Sequence, residues 1–170
     1  MYGAKRELVD MGALVPDFGL VRSLKALPDR TWLLSEERKD LPMRFWKVDP
    51  KSQTVRNVFT LRNQYQTWMP EWGYEYARDS HTIFISEYGN SAKDPVDPLN
   101  PDGTGPLSYK AGATKIWKSE DMGETWEELV DFRTFPDIYY ERLHIHALHY
   151  DQQRHRLYVT TGDHVMPGQG

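Results

Sequence analysis

Lys115-Ile116-Trp117-Lys118-Ser119-Glu120-Asp121-Met122-Gly123-Glu124-Thr125-Trp126 reads as a short strand running into a tight polar turn, and the rest of the chain falls into register around it. Gly123 permits a positive φ that the turn needs. The Ser119 and Asp121 side chains are short enough to hydrogen-bond the turn backbone. Trp126 supplies a large ring to pack the hairpin onto its sheet.

Outward from this hairpin, short runs rich in Val, Ile, Thr, Tyr, Phe and Trp recur between clusters of Asp, Pro, Gly and Asn, whereas amphipathic helical spacing is hard to find. The expected class is all-β. Upstream strands are read at 20–27, 31–35, 43–48 and 55–61, then at 73–77, 82–86, 114–118 and 126–132, and finally at 144–150 and 156–161. The repeat shows in residues as well as strand order. Phe45-Trp46-Lys47 followed by Asp49 parallels Ile116-Trp117-Lys118 followed by Asp121, and 83–87 parallels 157–161. Four antiparallel strands per repeat, recurring about every 40–50 residues, point to the blades of a β-propeller, with a β-sandwich as the alternative. The expected organisation is an N-terminal segment 1–18, read as a strand of a preceding blade, then blade 1 over 19–62 and blade 2 over 73–132. Blade 2 carries a long Gly/Pro/Asn/Asp-rich loop at 87–113, and blade 3 begins at 143–170, giving about two and a half blades.

The pattern Ser119-x-Asp121-x-Gly123-x-Thr125-Trp126 resembles the Asp box of the BNR-repeat, sialidase-like β-propellers. In that family the motif joins the third and fourth strands of a blade at its periphery, so the resemblance implies architecture before chemistry. It implies a carbohydrate-directed protein: a glycoside hydrolase, exo-sialidase-like if catalytic, or a non-catalytic glycan- or protein-binding propeller. Sialidases also carry an Arg-Ile-Pro motif, absent here, and three arginines that hold the substrate carboxylate. Arg22, Arg44, Arg62, Arg78 and Arg142 are on offer for that clamp, and no local pattern selects three of them. Propellers close with about 4–8 blades, so the expectation is a fragment of a longer protein, or self-association through unclosed blade edges.

Composition narrows the partners. Thirteen per cent aromatic residues, with 6 Trp and 10 Tyr, suits strands and stacking surfaces. A net charge of −4 with no run of basic residues beyond two argues against nucleic acid. Nothing approaches a membrane span, and 1–10 is interrupted by charge too soon for a signal-peptide core, which leaves the compartment open. The absence of Cys removes thiolate chemistry and Cys-based zinc sites.

In a propeller of this strand order, the ends of second strands and the starts of first strands share the ligand face. That collects candidate catalytic residues Glu87, Tyr88, Asp163, His144 and His146, with Glu36 as a further carboxylate. Paired carboxyls suit general acid and base work in glycosidic cleavage. Tyr88 beside Glu87 matches the tyrosine nucleophile that sialidases activate with a glutamate, as the resemblance implies. His144 and His146, two apart on a strand, point to one face: either a proton-transfer pair or hydrogen-bonded channel residues. They also offer a divalent-metal site, the basis of a third reading as a metal-dependent polysaccharide lyase; no other cofactor is expected. Tyr65, Trp68 and Trp72 suit stacking on sugar rings or plugging between blades, and Arg142 completes the expected substrate-binding set.

Overall fold

The computed structural model describes residues 10–38, 41–61, 73–87, 115–135 and 144–162. These residues form an all-β structure of three antiparallel sheets. The first joins β1 (Leu20–Ala26), β2 (Trp32–Arg38), β3 (Leu41–Asp49) and β4 (Thr54–Thr60) in the order β1-β2-β3-β4. The second joins β5 (Tyr74–Ala77), β6 (Thr82–Ser86), β7 (Lys115–Ser119) and β8 (Glu127–Asp131) in the same up-and-down order. The third pairs β9 (His144–Asp151) with β10 (Arg156–Gly162). No sheet closes on itself among the described residues.

Alternating side chains stack the sheets. From the first sheet, Leu33, Met43 and Phe45 meet Ile83 and Ile85 of the second, with Phe59, Trp117 and Trp126 packed around them. The opposite face of the second sheet places Phe84 and Ile116 against Ile145 and Leu148 of the third. Because β6 is covered on both faces, all five of its residues are buried. Each large apolar side chain removed from water in this way contributes about 1.5–3 kcal/mol. Phe59 sits at the centre of the first junction, its ring 5.0 Å from Trp117, 5.6 Å from Phe45 and 5.8 Å from Trp126.

Several elements depart from expectation: β2 runs to Arg38, three residues past the expected end at 35, and β3 starts at Leu41, two before the expected 43, so that Glu36 pairs inside the strand. Residues 11–14 form a single helical turn, α1 (Met11–Leu14), where a strand was read, because the Asp10 carboxylate caps it by accepting the Ala13 N–H at 3.1 Å. The segment then lays Val15 and Phe18 over Leu34 and Trp46 on the outer face of the first sheet. β8 begins at Glu127, one residue later than expected, because the Trp126 indole belongs to the turn, donating to the Gly123 carbonyl at 3.2 Å. Phe132 likewise leaves the strand for a 3-10 turn over Phe132–Thr134.

Polar contacts align the sheet ends. Lys47, 6 % exposed, sends its ammonium to Asp29 in the β1–β2 turn (2.8 Å), and to Glu124 (2.7 Å) and the Met122 carbonyl (2.9 Å) in the β7–β8 turn. Arg56 adds a second cation on Glu124. At the next junction Asp79 in the β5–β6 turn meets His155 of the β9–β10 turn and accepts from the Tyr150 hydroxyl at 3.1 Å. The turns therefore gather at one end of the stack, and the ends of β2, β6 and β10 lie at the other.

Candidate functional site

The 119–126 turn is held by one carboxylate. Asp121 Oδ1 accepts from the Ser119 hydroxyl (2.8 Å), the Glu124 N–H (3.0 Å) and the Thr125 N–H (2.9 Å), and Oδ2 accepts from the Thr125 hydroxyl (2.6 Å). The Ser119 hydroxyl oxygen takes the Gly123 N–H at 2.8 Å. Met122 and Gly123 both adopt positive φ, 58° and 84°. Ser119, Asp121, Gly123, Thr125 and Trp126 thus form one unit, at the far end of β7 from Glu87.

At the other end of the stack the register reveals a repeated constellation. Glu36 lies opposite Arg44 across β2 and β3, and Trp46 lies opposite Leu34. In the second sheet the Glu87 N–H bonds the Lys115 carbonyl at 2.9 Å, and Trp117 lies opposite Ile85. Each indole donates to its glutamate: Trp46 Nε1 to Glu36 at 2.6 Å, and Trp117 Nε1 to Glu87 at 2.9 Å. Each cation also lies over its indole, Arg44 at 4.6 Å and Lys115 at 5.5 Å from the ring centroid.

The two copies differ in what completes the carboxyl. Glu36 is excluded from solvent and saturated by the bidentate Arg44 guanidinium (2.6 and 2.7 Å), the indole, and the Gly19 N–H at 2.6 Å. Burial pushes its carboxyl up, but Arg44, Gly19 and Trp46 together hold it below the usual glutamate range. Glu87 is 7 % exposed, and its Oε2 finds no hydrogen-bond partner among the described residues. Lys115 lies 2.5 Å from Glu128 and 3.8 Å from Asp131 instead. Burial raises Glu87 to about 8, against the smaller opposing effects of Trp117 and Lys115. At neutral pH this carboxyl carries its proton. The neighbouring Ser86 hydroxyl is also buried and unpartnered among the described residues.

The remaining candidates divide by position. His146 sits on a β-bulge of β9, where Ala147 pairs with Thr160 and Ile145 with Thr161, and it is exposed. His144 begins β9 opposite Gly162. Among the described residues no group of three or more His, Asp or Glu is gathered to hold a metal. Tyr65, Trp68, Trp72, Tyr88, Arg142 and Asp163 lie outside the described residues. Of the arginines offered for a carboxylate clamp, Arg22 pairs with Glu37 and Arg44 with Glu36, while Arg78 lies in the turn at the opposite end.

Lys115, Trp117 and Asp131 were not singled out as site residues by sequence. The signal was present, in Ser35-Glu36 and Ser86-Glu87 at two strand ends, and in Arg44-x-Trp46-Lys47 and Lys115-x-Trp117-Lys118 on the strands that follow. No family model, curated protein or solved structure matches the chain.

Proposed function

We propose that the stacked sheets are blades of an Asp-box, sialidase-like β-propeller, and that the protein is directed at carbohydrate through the face where β2, β6 and β10 end. The observation that supports this reading is the 119–126 turn. Its Ser, Asp, Gly, Thr and Trp all have a physical task in the hairpin. That hairpin joins the third and fourth strands of a four-stranded up-and-down sheet packed between two others. On the ligand face, Glu87 supplies a protonated carboxyl at neutral pH, the state a general acid needs to protonate a glycosidic leaving oxygen.

The test is a panel of aryl glycosides and a glycan-binding screen on the intact protein. Turnover is expected, with Glu87→Gln lowering kcat by about 10²-fold or more. Absence of both turnover and glycan binding overturns the reading. A non-catalytic glycan-binding propeller is the second reading, favoured by the saturation of Glu36: of these two carboxyls, Glu87 alone has an oxygen without a hydrogen-bond partner among the described residues, whereas cleavage uses two carboxyls. Binding without turnover selects it.

A further inference from the structure

Matching register positions make the two junctions within the chain. Leu33 in β2, Phe84 in β6 and Tyr158 in β10 stand at equal distances before the matching strand-end residues Glu36, Glu87 and Thr161. Leu33 and Phe84 are 0 % and 7 % exposed, because each faces the sheet that follows its own. Tyr158 is 46 % exposed, on the face of the third sheet turned away from Leu157 and Val159, which pack toward the second.

The first sheet presents the complementary surface. Residues directly opposite one another on paired strands share a face, so Val21, Leu24 and Ala26, opposite Glu36, Leu34 and Trp32, lie on its outer face. Leu24 corresponds to Tyr74, which stands opposite Ile85 in the second sheet and packs beneath the first. Leu24 itself is 51 % exposed. The N-terminal segment lays Met11, Val15 and Phe18 over Leu34 of β2, Trp46 of β3 and Val55 of β4, while Val21, Leu24 and Ala26 on β1 stay exposed.

We infer that the third sheet of one copy stacks on the first sheet of a second copy, with Tyr158 seated against Leu24 and Trp32, and that the same contact made in return closes two copies on each other. Strand number supports the fit. β9 and β10 are paired as β1 and β2 are, as the first hairpin of a sheet, and the β1 side of the first sheet is what the N-terminal segment leaves exposed. Contact between two different surfaces is heterologous and forms a ring only where its rotation closes. With three sheets per chain, two copies supply six, inside the range of about 4–8 for closed propellers. Closure at two copies therefore rests on the propeller reading, whereas the contact rests on register and exposure. Each contact is two strands wide and small for a stable interface. A closed pair makes two of them, the second forming at the high effective concentration that the first creates.

The experiment is light scattering of the intact protein from micromolar to several hundred micromolar concentration, with circular dichroism of each variant to establish that it is folded. A species of twice the chain mass is expected, dissociating on dilution. Tyr158→Lys and Leu24→Glu, both at exposed positions, should each weaken association by about tenfold or more, because the contact would then bury an unpaired charge. An equimolar mixture of the two variants should recover the double-mass species, since each contact then holds either two native side chains or a Lys facing a Glu. A wild-type protein that stays monomeric, a mass that climbs without limit, a dimer that survives in either variant, or a mixture that fails to pair overturns the inference. Of these outcomes the climbing mass alone also counts against the propeller reading, and carbohydrate recognition is decided separately by turnover and glycan binding.

Discussion

Glu36 and Glu87 occupy the same register position in successive sheets, yet their surroundings drive their protons in opposite directions. Glu36 is a stabilised anion and Glu87 a buried acid. The pH consequence of Glu87 follows from its sign. Its folded value, about 8, lies above the unfolded value near 4.5, so its contribution is fully present below about pH 4.5 and is lost as pH rises through about 8. Glu87→Gln should therefore match the wild type at pH 4.5 and be about 4 kcal/mol more stable at pH 8, in urea unfolding at the two pH values. A difference that does not change with pH would place the proton elsewhere. The position of Glu87 at a strand end was legible in the sequence. Its protonation was not, because that depends first on how completely packing buries the carboxyl and only then on Lys115, whose ammonium lies against Glu128 and Asp131, and burial is a matter of packing and not of spacing. Lys47 was opaque for the same reason: a lysine in a strand reads as solvent-facing until Asp29 and Glu124 are brought to it from distant turns.

The strands themselves were the most legible elements, since apolar alternation and polar turn clusters survive without knowledge of neighbours. The hairpin turns share a device that is harder to read. Arg30, Gln53, His81 and His155 each adopt a positive φ between 52° and 68°, at or next to the end of their turns, where glycine is the usual solution. An aspartate near each turn compensates: Asp29, Asp49, Asp79 and Asp151 each accept from the backbone N–H of a turn residue. Left-handed backbone costs a non-glycine residue roughly 1–2 kcal/mol, partly offset by the greater unfolded-state entropy of glycine. Arg30→Gly should consequently stabilise the fold by about 0.5 kcal/mol. Gly123→Ala should destabilise it by about 1–2 kcal/mol through backbone strain alone. A Cβ there would stand 3.7 Å or more from Trp126, Leu27 and Leu33, an ordinary contact. Thermal or urea unfolding of the pair of variants checks both signs, and a Gly123→Ala protein as stable as wild type would refute the strain argument. The helical turn α1 escaped notice because four residues are too few to show a helical period, and its one marker is the Asp10 cap.

Across the whole molecule the three sheets are not held equally. The first and second are joined by an aromatic cluster around Phe59 and by the Lys47 ammonium, which stays charged throughout the physiological range because Asp29 and Glu124 more than compensate its burial. The second and third are joined by Phe84, Ile116, Ile145 and Leu148, and by polar contacts among exposed groups at Asp79. Exposed pairs of that kind contribute little. The third sheet also has two strands among the described residues, with Tyr158 46 % exposed on it, and a two-stranded hairpin depends on what it packs against. Local opening should therefore begin there. In native-state hydrogen exchange the amides of β9 and β10 should exchange faster than those of β2, β3 and β6. Ile145→Ala should accelerate β9 and β10 while leaving β2 and β3 near their wild-type protection. Phe45→Ala, which removes a fully buried ring from the first junction, should cost about 3–5 kcal/mol and lower protection in the first and second sheets together. If Ile145→Ala lowered protection equally in all three sheets, they would form a single cooperative unit, and the hierarchy argued from their junctions would be wrong.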